Sequence, residues 1–187
     1  MADFRKALEI TLKHEGGETV DTGGYTKWGI SQKAYPGLDI KNMTRSQMEA
    51  IYKRDYWDKI KGDQITDQNA AAVLFDYAVN AGVGAAVKAA QTVLGVAVDG
   101  GLGPQTLGAI NRAGAGFAGQ LTKYRVSFYT KLATSNPAKY GKYLAGWIKR
   151  AESFFKMTPA KAAGGGLFLA LGAAGAFYVI HKRKAKQ

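Results

Sequence analysis

Apolar residues recur at helical spacing through most of the chain. Phe4, Ala7, Leu8, Thr11 and Leu12 fall on one face behind Asp3, a good N-cap, and Gly16-Gly17 stop the run. The pattern predicts an amphipathic helix over residues 4–14. Residues 16–30 are too glycine-rich for a helix and are expected to form a short β-hairpin or an irregular turn. Thr44 and Gln47 have the spacing of a capping box, and Met48, Ile51 and Tyr52 give the next helix an apolar face ending near Tyr56-Trp57. Thr66 or Asp67 caps a third helix, with Ala70, Val73, Leu74, Tyr77 and Ala78 on its stripe and Asn80-Ala81-Gly82 at its end. A fourth helix covers 85–94, and Pro104 opens a fifth bearing Leu107 and Ile110. Longer helices are expected over 117–132 and 138–155, with Pro137 and Pro159 as boundaries. The fold class expected is mainly α, with one small irregular or β element after the first helix.

The pattern changes beyond residue 161. Residues 162–180 carry no charge, and His181-Lys182-Arg183-Lys184 come after them. As a helix this stretch would span about 28 Å, close to a bilayer's hydrocarbon core, with Lys161 and the basic cluster at the two interfaces. A transmembrane helix over 162–181 is therefore expected. The alternative is a buried helix or a Gly/Ala-rich tail, because Gly164, Gly165 and Gly166 are poor helix formers. Gly166, Ala170 and Ala174 fall four apart, a spacing that lets helices approach closely in lipid. No apolar stretch succeeds the charged N-terminus, so no cleavable signal peptide is expected.

Composition narrows the chemistry. The chain has 187 residues, no cysteine and two histidines, so neither a disulfide nor a multi-histidine metal centre is expected. No cofactor is implied. The net charge of +12 suits an anionic partner: cell-wall polymer, acidic lipid or nucleic acid. Only residues 182–184 form a basic run, and no basic-aromatic array grips single strands, so no specific nucleic acid is expected.

Candidate chemistry gathers between His14 and Ser31. Glu15 ends the first predicted helix, Asp21 comes next in a loop, and Gly16, Gly17, Gly23, Gly24 and Gly29 surround them, with Tyr25, Thr26 and Trp28 in the same stretch. A helix end held over a glycine-lined loop can place a carboxyl in a cleft, and two carboxyl groups flanking one bond are the tools of sugar cleavage. The bland readings are a solvated acid at a helix end and a turn-forming Asp before Gly-Gly. The rings of Tyr25, Trp28 and Trp57 either stack on sugar faces or belong to the core. The 99–106 block, Asp-Gly-Gly-Leu-Gly-Pro-Gln-Thr, is either a turn between helices or a wall-contacting loop.

His14-Glu15-Gly16-Gly17, with Asp21-Thr22-Gly23-Gly24-Tyr25-Thr26-Lys27-Trp28-Gly29-Ile30-Ser31 after it, resembles the signature of glycoside hydrolase family 108, the bacterial and phage N-acetylmuramidases of lysozyme-like helical fold. The resemblance continues through Asp76-Tyr77-Ala78-Val79-Asn80-Ala81-Gly82, and from Gln91 to Thr106 it resembles the small peptidoglycan-binding region next in that family. The loop from Glu15 to Asp21 is shorter than the family pattern, and Glu18 stands where an aromatic residue is usual.

The resemblance implies Glu15 as catalytic acid, with Asp21 and Thr26 positioning the attacking water; His14, Tyr25, Trp28 and Asn80 are the candidate substrate contacts. It implies a lysozyme-like catalytic region over 1–82 and a helical peptidoglycan-binding-like region over 83–156. A linker over 157–161, the membrane helix and a basic tail over 182–187 complete the division. The activity implied is hydrolysis of the β-1,4 bond between N-acetylmuramic acid and N-acetylglucosamine. Peptidoglycan and a lipid membrane are the expected partners, together with proteins of a virion or membrane. The location expected is a virion's internal membrane, or the bacterial inner membrane, with a role in phage entry or lysis. The alternatives are a lytic transglycosylase using the same Glu15 and a non-catalytic wall-binding protein of a virion.

Overall fold

The computed structural model describes residues 1–15, 19–21 and 24–154. The expected linker, membrane helix and basic tail lie outside these residues. Among the described residues there are seven α-helices and one three-stranded sheet, and no helix is long and apolar enough to cross a membrane.

Helix α1 (Phe4–Leu12) starts where Asp3 accepts from the Lys6 amide at 3.1 Å. It ends two residues earlier than its apolar pattern predicts. The amides of Lys13, His14 and Glu15 bond three residues back, to Ile10, Thr11 and Leu12, so the last turn tightens and carries Glu15 off the helix. Strands β1 (Thr19–Asp21), β2 (Gly24–Lys27) and β3 (Ile30–Ser31) pair antiparallel in sequence order. The expected hairpin thus gains a third strand. It is only two residues long, too short to show an alternating pattern.

Helix α2 (Arg45–Tyr52) has the expected capping box between Thr44 and Gln47. A π-helical turn over Lys53–Trp57 extends it, closed by the Asp58 amide on the Lys53 carbonyl. This turn swings Trp57 into the core, where it is fully buried against Phe4 and Phe75 with its indole N–H on Asp63 at 2.7 Å. Trp57 therefore takes the core alternative and offers no face to a sugar.

Helix α3 (Gln68–Ala81), capped by Asp67, is the centre of the molecule. All ten residues from Ala70 to Val79 are buried. It packs against α1, against α4 (Val83–Leu94) and against α6 (Ala115–Ser135). A helix hydrophobic on every side is one surrounded by others. Helix α5 (Pro104–Ala113) has Pro104 at its start. The turn before it is tied by buried Gln91, whose amide nitrogen donates to Asp99, the Gly101 carbonyl and Thr106, while its oxygen accepts from the Gly100 amide. Asn136 alone joins α6 to α7 (Pro137–Glu152) and caps the latter. One hydrophobic core runs through residues on both sides of Val83, from Leu8 and Phe75 to Phe117, Leu121 and Phe154.

Gly62 is set by this core. A Cβ there would run into the Trp57 ring, which is buried and cannot swing away. Gly62→Ala is expected to cost about 2 kcal/mol by overpacking. In thermal denaturation that is a drop in Tm of about 4–8 °C.

Candidate active site

Two elements distant in sequence deliver the groups around Glu15. The first is the β2–β3 turn. Lys27 pairs with Ile30, leaving Trp28 and Gly29 as a two-residue loop with φ of +49° and +74°. Positive φ at both central positions is the mark of a type I′ hairpin. It suits Gly29 and strains Trp28, which bears a side chain in the left-handed region. The strained turn is held by the Tyr52 hydroxyl, which donates to the Trp28 carbonyl at 2.9 Å.

Gly29 then lies directly against the acid. A Cβ on it would sit 2.6 Å from Glu15 Oε2 and 3.0 Å from the Tyr52 hydroxyl, so only glycine fits, by conformation and by space alike. Burial pushes Tyr52's proton affinity well up, and Glu15's charge adds to this, so its hydroxyl stays a neutral donor.

The second element is α7. Arg150 Nη2 donates to Glu15 Oε1 at 2.8 Å and to Asp76 Oδ1 at 2.8 Å, while Nε reaches both Asp76 oxygens at 3.0 and 3.1 Å. Arg125 of α6 also donates to Asp76 Oδ2, at 2.9 Å, and stacks on the Tyr77 ring at 4.6 Å. Asp76 and Arg125 are fully buried, and the side chain of Glu15 is 18% exposed. Burial alone would raise the Asp76 carboxyl, but the two guanidiniums outweigh it and hold Asp76 below the usual carboxylate range.

The residues expected from the sequence divide in two. Glu15 and the Trp28 turn are brought together. Thr26 stands on β2 opposite Thr19 and Ser31, and Tyr25 opposite Val20, both half-buried. Of Asp21 the backbone is described, paired with Gly24. His14 and Asn80 have protein partners: Asn80 accepts from the Tyr129 hydroxyl at 2.6 Å, and His14 Nε2 lies 3.0 Å from Ser153 Oγ. The Ser153 hydroxyl donates to the Arg150 carbonyl, so His14 Nε2–H is the donor of that pair.

The sequence does not single out Asp76, Arg125 and Arg150 as site residues. The available signal is Asp76 itself, one acid inside the otherwise apolar run of residues 70–79, because a buried carboxylate requires paired cations. A second acid, Asp55 on the π-helical turn, accepts from Tyr35 at 2.7 Å and pairs with Arg54. Burial, the largest influence, and the charges of Asp55 and Glu15 raise Tyr56's proton affinity, which places Tyr56 within the fields of both acids.

His14 generates a pH prediction. Burial lowers its proton affinity; Asp76 pulls the other way, and the two guanidiniums add to the lowering. The unfolded chain therefore takes up this proton first as pH falls. Stability contributed at His14 is present above the ordinary histidine pKa of about 6.5 and is lost as pH drops below it. His14→Gln is expected to make the fall in Tm between about pH 7.5 and about pH 5.5 smaller than in the parent chain.

With this geometry in place, the comparisons with known proteins bear on the same region. Residues 8–82 match the family described as Glycosyl hydrolase 108, and residues 85–152 match the one described as Predicted Peptidoglycan domain. Among solved structures, SagA of Brucella abortus is similar over 83% of this chain and 92% of its own, with 26% identity and a TM-score of 0.69. No curated protein matches. Glu15, Gly29, Tyr52 and Asp76 all fall inside the first match and Arg125 and Arg150 inside the second. Residues 8–82 thus carry a glycosyl hydrolase 108 region and residues 85–152 a predicted peptidoglycan domain, and the chain is a glycoside hydrolase of the muramidase type.

Proposed function

We propose that the chain is a lysozyme-like N-acetylmuramidase that cuts the β-1,4 bond between N-acetylmuramic acid and N-acetylglucosamine in peptidoglycan. Glu15 is the general acid and protonates the leaving oxygen. The observation that carries this reading is the seating of the Glu15 carboxyl between a hairpin turn and a buried arginine, inside the segment that matches the glycosyl hydrolase family. A carboxyl fixed in this way keeps its reach to one bond, the first requirement of a proton donor.

Water attacks the anomeric carbon, positioned by Asp21 and Thr26 on the adjacent strands β1 and β2. Trp28 and Tyr25, at the same sheet, contact the glycan. An enzyme that uses water leaves a reducing N-acetylmuramic end. A lytic transglycosylase would instead let the muramic 6-hydroxyl attack and leave a 1,6-anhydro end.

The uncharged stretch over 162–180 supports a membrane tether, and the basic residues after it favour the C-terminus on the inner side. On this reading the enzyme is held at a membrane, within a virion or at the bacterial inner membrane, and opens the wall locally during phage entry or lysis.

Digestion of purified peptidoglycan by the full chain, with the products weighed by mass spectrometry, is expected to yield reducing N-acetylmuramic ends. Glu15→Gln is expected to lower their yield by about 1,000-fold or more, the scale of losing a general acid. Anhydro ends would assign the transglycosylase reaction. Undiminished products from Glu15→Gln would remove Glu15 from the chemistry.

The tether has its own test. The full chain is expected to float with neutral lipid vesicles in high salt, where electrostatic adsorption is screened. A chain ending at residue 158 is expected to stay behind. Flotation of neither, or of both equally, would refute the anchor.

A further inference from the structure

Four charges form one cluster at the junction of the two family regions: Glu15 and Asp76 from the first, Arg125 and Arg150 from the second. With Glu15 ionised, two negative and two positive groups balance; with a proton on Glu15, the cluster carries one net positive charge. The order of contact is linear. Arg125 holds Asp76, Asp76 holds Arg150, and Arg150 holds Glu15. Asp76 and Arg125 are wholly buried, and the Arg150 side chain is 11% exposed, so little of this relay can move.

The guanidinium is planar, and its donors have fixed directions. Nε and one Nη2 hydrogen of Arg150 are committed to Asp76. The second Nη2 hydrogen must then point along one line, and Glu15 Oε1 lies 2.8 Å away in that direction. This occupies one of the two carboxyl oxygens. The other, Oε2, lies against Gly29, which the Tyr52 hydroxyl also approaches.

We infer that Arg150, carried on α7 of the predicted peptidoglycan domain, is a positioning residue of the hydrolytic site. It fixes the Glu15 carboxyl through Oε1 and leaves Oε2 to carry the proton that goes to the glycosidic oxygen. Residues 85–152 are then part of the catalytic machinery, and not only a wall-binding attachment. This rests on Glu15 being the general acid.

The step balances simply. Oε2–H gives its proton to the bridging oxygen as the C1–O bond breaks, and the bonding pair leaves with that oxygen. Oε1 keeps its hydrogen bond from Nη2 throughout, so the carboxylate formed is already paired.

The test compares the full chain with Glu15→Gln, Arg150→Lys and Arg150→Ala on soluble glycan fragments. Lysine keeps the charge but is a point donor that cannot grip Asp76 and Glu15 together. The expected result for Arg150→Lys is a kcat lower by about 100-fold, the scale of a misplaced catalytic group, with KM nearly unchanged. Millimolar guanidinium is expected to restore part of the activity of Arg150→Ala, which a defect of folding would not allow.

A Lys variant with the parent's kcat, or one whose loss lies wholly in KM, would overturn the inference. So would an Ala variant that is folded and inactive but insensitive to guanidinium. Should both variants unfold, nuclear magnetic resonance of the Arg150 side-chain N–H groups in the parent and in Glu15→Gln decides. A shift at Arg150 larger than at Arg125 supports the pairing, and no shift refutes it. Full activity of Glu15→Gln would instead defeat the assignment of Glu15, whatever the arginine variants show.

Discussion

A carboxylate buried at the centre of an apolar helix dictates much of this architecture. Asp76 sits in the middle of α3 with no exposure, and a lone charge there would be prohibitive. It is tolerable because Arg125 and Arg150 close on it from α6 and α7. Such a triad is a poor source of net stability, since desolvation offsets most of the attraction. Its value lies in geometry. Hydrophobic packing lets helices slide, whereas directed hydrogen bonds from two arginines to one carboxylate fix both their distance and their rotation about α3. The same contacts that satisfy Asp76 set the Arg150 plane, and that plane meets Glu15.

The sheet serves the site from the other side, by a local device. Its two-residue turn puts Trp28 in a left-handed conformation that its side chain disfavours, and the Tyr52 hydroxyl on the Trp28 carbonyl helps hold it. The consequence is that Gly29 comes against Glu15 with no side chain between them. Strain at Trp28, a bare backbone at Gly29 and an arginine from α7 converge on one carboxyl. Glu15 itself lies beyond the last turn of α1, so its backbone alone would not hold it; the surrounding contacts do.

The helical frame is legible in the sequence because its signals are local. The capping box at Thr44 and Gln47, the stripe of α3 and the proline starts of α5 and α7 need no knowledge of the rest of the fold. The features that escape a sequence reading are cooperative. Trp57 stays open between sugar-stacking and core until the π-helical turn rotates it inward, and β3 is too short to carry a pattern. Glu15 is legible from its motif, since glycines and acids lie beside it in the chain. Arg150 lies 135 residues away, on a helix full of ordinary surface lysines, and nothing in its neighbours distinguishes it. Asp76 announces that a cation is needed but not which of 26 basic residues provides it.

Charge distribution gives the pairing its direction. Twelve of the 14 acidic residues precede Val83, but only 11 of the 26 basic ones do. The first region thus carries a net charge of −1 and residues 83–187 a net charge of +13, which together give +12. From Gly100 to Ala151 there is no acid at all, and the one acid on α6 and α7 is Glu152, exposed at the end of α7. Any buried guanidinium in that stretch must be neutralised from elsewhere, and Asp76 and Glu15 are where the first region meets it. Lysines of α7 stay on the surface, exposed at Lys139, Lys142 and Lys149, where they attract an anionic polymer over long range. One composition bias therefore acts twice: inward, it ties the helical hairpin to Glu15, and outward, it turns a positive surface towards anionic polymers.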